Sequence, residues 1–116
     1  MEQQGYKKLI VWQKSIVLTK SIYDVTKDFP RDEQFGLVSQ MRRAAISIPS
    51  NLAEGSRRRT DKDKNHFYSI AFGSASELET QIEIVSELGF ITKEIYIDLL
   101  SQIEEILRML NKLTSY

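Results

Sequence analysis

Apolar residues recur along most of this chain at spacings of three and four. They fall at Val38, Met41, Ala45, Ile48, Leu52 and Gly55, then at Phe67, Ala71, Ser74, Leu78, Ile82, Val85 and Leu88. A third set is Tyr96, Leu99, Ile103, Ile106, Leu110 and Leu113. Side chains three or four residues apart share one face of a helix, so each set is the seam of an amphipathic helix. No alternation of period two is sustained, which argues against a sheet. The first segment carries two seams, Trp12, Ile16, Thr19 and Tyr23, and, about 100° around the axis, Val11, Leu18, Ile22, Val25 and Phe29.

Breaks at Pro30, at Gly55 with the polar run Ser56 to Asp63, and at Gly89 leave four long segments. They predict helices over about 7–28, 33–57, 62–88 and 92–114. Asp32 is placed to cap the second helix, Thr60 or Asp61 the third and Thr92 the fourth, with Gly89 as the left-handed residue that ends the third. Short connections between long helices make neighbours antiparallel. The expected fold is all-α, one domain over 1–116, an antiparallel up-down-up-down four-helix bundle. Pro49 falls inside the second helix and deprives the Ala45 carbonyl of its donor, so a kink is expected there. A broken helix is the rival, and Ser47, Ser50 and Asn51 are placed to compensate.

A bundle helix needs one seam, and the first helix has two. The broad core-facing stripe is one explanation. The other is that Val11, Leu18, Ile22 and Val25, with Leu37, Leu100 and Leu107 off the main seams of their helices, face another copy of the chain. A homo-oligomer is therefore predicted. With the second and third helices as a hairpin, Ala44 and Ala45 face Ala75 and Ser74, and Gly73-Ser74-Ala75-Ser76 is expected to let the helices approach closely. The same register sets Arg42 and Arg43 beside Glu77 and Glu79. Because Glu79, Glu83 and Glu87 form an unfavourable like-charge ladder, ion pairs from Arg42 or Arg43 to Glu77 or Glu79 are expected, within the chain or between copies.

Composition narrows the chemistry. The 116 residues include 16 Lys and Arg against 16 Asp and Glu, one His, no Cys, and 41% hydrophobic residues. That excludes disulfides, thiolate zinc and a cysteine nucleophile, and argues against disorder. Asp63 and His66 lack the second histidine of a bundle metal site, and the serines lack a His and Asp to activate them. Trp12, Tyr23 and Tyr96 read as core before they read as base-stacking platforms. No enzyme activity, metal, cofactor or small-molecule substrate is expected. Neither a membrane span nor a signal peptide is expected, which makes the cytoplasm the expected location. The zero net charge conceals asymmetry, with seven cations and three anions over 42–64 but three and eight over 65–116. Arg57, Arg58, Arg59, Lys62 and Lys64 form the dense basic cluster. They serve either as C-terminal dipole partners, with Glu54 pairing Arg58, or as nucleic-acid contacts that an oligomer would multiply.

Two long stretches carry a resemblance. Gln40-Met41-Arg42-Arg43-Ala44-Ala45-Ile46-Ser47-Ile48-Pro49-Ser50-Asn51-Leu52-Ala53-Glu54-Gly55 and Phe67-Tyr68-Ser69-Ile70-Ala71-Phe72-Gly73-Ser74-Ala75-Ser76-Glu77-Leu78-Glu79, with Leu9 to Lys14 and the Phe29-Pro30 closure, resemble the four-helix-bundle proteins encoded in intervening sequences of 23S ribosomal RNA genes. The accessory variability protein of diversity-generating retroelements is similar to this family. The resemblance implies an up-down-up-down bundle, a pentameric assembly and, in the retroelement branch, nucleic acid and a reverse transcriptase as partners.

Overall fold

Residues 5–114 are described by the structure, a computed structural model, so the polar start at Met1 to Gln4 and the last two residues of the expected domain lie outside the described residues. Helix α1 spans Ile10–Thr26, α2 Leu37–Ser56, α3 Asp61–Glu87 and α4 Lys93–Thr114, with 3₁₀ turns at Gly5–Lys8 and Arg31–Glu33. No strand occurs among the described residues. At about 1.5 Å per residue the 27-residue α3 is roughly 40 Å long, and it sets the long dimension of the 43 × 30 × 22 Å fold. No helix of the described residues is long and apolar enough to cross a membrane.

The ends of the helices follow from local chemistry. Thr60 Oγ1 accepts from the Asp63 amide at 3.1 Å, and Thr92 Oγ1 from the Ile95 amide at 3.2 Å, so each caps the helix that follows. Gly89 has φ +76°. That turn lets the Phe90 amide reach the Val85 carbonyl at 2.9 Å and the Gly89 amide the Ser86 carbonyl at 3.1 Å, a Schellman closure of α3. Phe90 then packs on Phe29, centroids 5.4 Å apart, closing this end of the bundle. Two starts differ from expectation. Asp32 does not cap α2, because it and Glu33 are consumed in the Arg31–Glu33 turn, and α2 begins at Leu37 with no side-chain cap. Helix α1 begins at Ile10 because Gly5–Lys8 forms a separate 3₁₀ turn.

Side-chain pairs fix the topology. Thr19 reaches Ala45 and Thr26 meets Arg42, so α1 opposes α2. Ser47 meets Ser74 and Ser56 meets Lys64, so α2 opposes α3. Lys14 pairs with Glu105 and Ser21 with Gln102, so α4 opposes α1. The bundle is therefore up-down-up-down. Its centre is aliphatic, with Ile22, Met41, Ile48, Leu52, Leu78, Ile82, Ile103, Ile106 and Leu110 fully buried.

The packing overturns two expectations. Val11, Leu18 and Ile22 are 4%, 0% and 0% exposed, inside the chain's own core, so they are not an outer subunit face. Val25, Leu37, Leu100 and Leu107 are half-buried against that core. The other seam of α1 is the open one: Trp12, Ile16 and Thr19 are half-buried and Tyr23 is 40% exposed. Branched aliphatic side chains carry no polar atom into the interior, whereas Trp and Tyr keep a polar tip that favours the rim. Next, Gly73 is exposed and a Cβ there would meet nothing within 4 Å, so it is no packing device. The close approach is at Gly55, where a Cβ would lie 2.7 Å from Tyr68 Cε1 and 3.1 Å from the Lys64 carbonyl oxygen. Helix α2 runs continuously through Pro49, as the segment 33–57 predicted, and the rival of a broken helix is excluded. The Ala45 carbonyl receives the Thr19 hydroxyl of α1 at 3.3 Å, while Asn51 is engaged with Ser47 instead.

Candidate functional site

The α2–α3 connection gathers the basic cluster at one end of the bundle. Helix α2 ends there at Ser56, with the Arg57 and Arg58 amides closing onto the Glu54 and Gly55 carbonyls. Arg58 pairs with Glu54 and lies over the Phe67 ring at 4.6 Å. Arg57 lies over the Tyr6 ring at 5.2 Å, and Lys64 Nζ donates to the Ser56 carbonyl at 3.3 Å. Arg59 and Lys62 are exposed and join no ion pair among the described residues. Exposed pairs and cation–π contacts of this kind contribute roughly 0.2–1 kcal/mol each. They orient the guanidinium groups without neutralising the cluster. Asp61 and Asp63 occupy the first turn of α3 and complement its dipole, so attraction for an anion here comes from the Arg and Lys side chains.

The fold adds residues that the sequence pattern did not single out. The Gly5–Lys8 turn packs against α2, Tyr6 stands edge-on to Trp12 with centroids 5.3 Å apart, and exposed Lys7 and Lys8 flank the ring that Arg57 covers. The sole local signal was the pair of lysines beside a tyrosine, seven residues into the chain and remote from the arginines in sequence.

The expected ion pairs between Arg42 or Arg43 and Glu77 or Glu79 are not formed within the chain among the described residues. Arg42 turns toward α1, where Nε donates to Thr26 Oγ1 at 3.0 Å and the guanidinium covers Tyr23 at 4.4 Å. Arg43 and Glu77 face a shared groove of about 270 Å³ with Gln40, Ala44, Ser47 and Ser74, where Ser74 donates to Ser47 at 2.7 Å. Beside it Gln81 is buried, its Nε2 donating to Glu77 at 3.1 Å and its Oε1 without a partner.

A second groove, about 340 Å³, lies between α1 and α2 and is lined by Tyr6, Trp12, Ile16, Thr19, Ile46, Pro49, Ser50 and Ala53. The Thr19 hydroxyl is committed to the Ser15 and Ala45 carbonyls, so the lining is essentially apolar. Elsewhere the chemistry is sparse. His66 is exposed and stands edge-on to Phe67. No group of three His, Asp or Glu side chains placed to hold a metal occurs among the described residues. In the glutamate ladder, Glu83 accepts the Tyr96 hydroxyl at 2.9 and 3.0 Å, and this hydrogen bond, with partial burial and the neighbouring carboxylates, raises the Tyr96 pKa. Tyr96 is half-buried against the core with its hydroxyl at the rim, whereas Tyr23 is exposed.

The comparisons with known proteins agree with this architecture. A crystal structure of a protein of unknown function from the S23 ribosomal protein family of Bacteroides thetaiotaomicron superposes with a TM-score of 0.83 at 24% identity, covering 90% of this chain and 95% of the other. At that identity the likeness speaks for the fold. No curated protein matches the chain. The model of the family described as 23S rRNA-intervening sequence protein matches residues 7–112, nearly the whole bundle. This chain belongs to the 23S rRNA-intervening sequence protein family.

Proposed function

We propose that this chain is a non-enzymatic, cytoplasmic, homo-oligomeric helical-bundle scaffold, pentameric as the family resemblance implies, whose basic end holds nucleic acid. The observation that carries this is the concentration of Arg57, Arg58, Arg59, Lys62 and Lys64 with Lys7 and Lys8 at one end of a chain whose formal net charge is zero. Two arginines there are oriented on aromatic rings, and Arg59 and Lys62 join no ion pair among the described residues. Copies arranged around an axis would bring several such ends together and bind by avidity where one alone is weak. A nucleoprotein partner, such as a reverse transcriptase with its template, presents the same phosphates.

Salt dependence tests this. If five cations of one subunit release counterions from a duplex, affinity falls about 500-fold between roughly 50 and 200 mM salt. Arg59→Ala with Lys62→Ala lowers that log–log slope by roughly 1.8. A gel shift that is absent, or insensitive to salt and to this double substitution, contradicts nucleic-acid binding and leaves a structural or protein-binding oligomer.

A further inference from the structure

Phe35 is fully exposed, at 100%, on the connection before α2. It follows the acidic pair Asp32 and Glu33 and precedes Gly36. An aromatic ring offers about 150–250 Å² of buriable surface, and none of it is used among the described residues. The α1–α2 groove around Trp12, Ile16, Ile46 and Pro49 is the complementary feature, an open apolar cleft large enough for a ring. The two cannot meet inside one molecule. Phe35 lies at the start of α2, and Ile46 to Ala53 lie nine to sixteen residues beyond Leu37 on the same unbroken helix, about 14–24 Å away along its axis.

We propose that Phe35 of one copy seats in the Trp12–Ile46 groove of the next. This rests on the homo-oligomeric reading above and says how the copies are joined. Charge agrees with that seating, since Asp32 and Glu33 accompany the ring while Lys7, Lys8 and Arg57 flank the Tyr6 end of the groove. Ring and groove are different patches, so the contact is head-to-tail and each copy offers one of each, which generates a closed ring when the rotation closes.

The chain has no cysteine, so no native thiol competes in crosslinking. A Gln34→Cys chain, which keeps the Phe35 ring, mixed with a Ser50→Cys chain should form a disulfide between copies in several-fold higher yield than Gln34→Cys mixed with Ile84→Cys, a control at a 43% exposed site on α3. A disulfide needs Cα atoms within about 7 Å, which the intramolecular distance forbids. Phe35→Asp should weaken assembly at least tenfold by light scattering while leaving the helical circular dichroism unchanged. Native mass spectrometry separates the two claims. Single chains at tens of micromolar overturn the oligomer and this contact together. A stable oligomer that crosslinks no better at 34–50 than at the control, or that tolerates Phe35→Asp, overturns this contact alone.

Discussion

Pro49 leaves the Ala45 carbonyl without its intrahelical donor, and Thr19 supplies the replacement from α1. Thr19→Val keeps the outline of the side chain and removes that hydroxyl. Ala45 is completely buried, and a buried acceptor left without a partner costs roughly 1–3 kcal/mol. The hydroxyl is shared, however, with the nearer Ser15 carbonyl at 2.8 Å against 3.3 Å for Ala45. The low end, about 1 kcal/mol, is therefore expected. In a Pro49→Ala background residue 49 brings its own amide, Ala45 regains an i+4 donor, and Thr19→Val should cost almost nothing. A double-mutant cycle by urea denaturation, at one fixed protein concentration because assembly adds apparent stability, should give a coupling of about 1 kcal/mol. Additivity within about 0.3 kcal/mol would refute the compensation.

Other substitutions test the packing. Gly73→Ala, with open space at its Cβ position, should stabilise the chain by about 0.8–1 kcal/mol. Gly55→Ala should destabilise it by roughly 1–2 kcal/mol, because overpacking against Tyr68 and the Lys64 carbonyl outweighs the helix-propensity gain; thermal melts of the two variants should move in opposite directions. Gln81→Leu removes a buried acceptor that has no partner and should raise the urea midpoint, and a fall would show that its bond to Glu77 matters more. The Tyr96 pKa is raised above 10.0 by its hydrogen bond to Glu83. Its stabilisation is therefore complete below that value and lost as pH rises through the folded-state pKa. Tyr96→Phe should flatten the alkaline loss of stability, and an unchanged slope would count against the hydrogen bond.

The helices, the caps at Thr60 and Thr92 and the left-handed Gly89 were legible in the sequence because each rests on interactions within a few residues. The α2 seam was equally plain, since Val38, Met41, Ala45, Ile48 and Leu52 are all buried. What failed depends on distance. Two stripes of α1 were both apolar, and only packing against α2 and α4 decides that Leu18 and Ile22 go in while Trp12 and Tyr23 stay at the rim. Arg42 had an acidic neighbour by register, but Thr26 and the Tyr23 ring on α1 were the nearer partners. The basic cluster was visible at Arg57 to Lys64. Its extension to Tyr6, Lys7 and Lys8 was not, because the two segments meet only once the bundle closes.

Assembly and nucleic-acid binding are proposed together for this bundle. Native mass spectrometry of the unaltered chain with a structured RNA, at tens of micromolar protein, tests both parts in one spectrum. The expected spectrum shows a discrete oligomer, five copies by family resemblance, carrying RNA that is released as ionic strength rises. Single chains without RNA would contradict it.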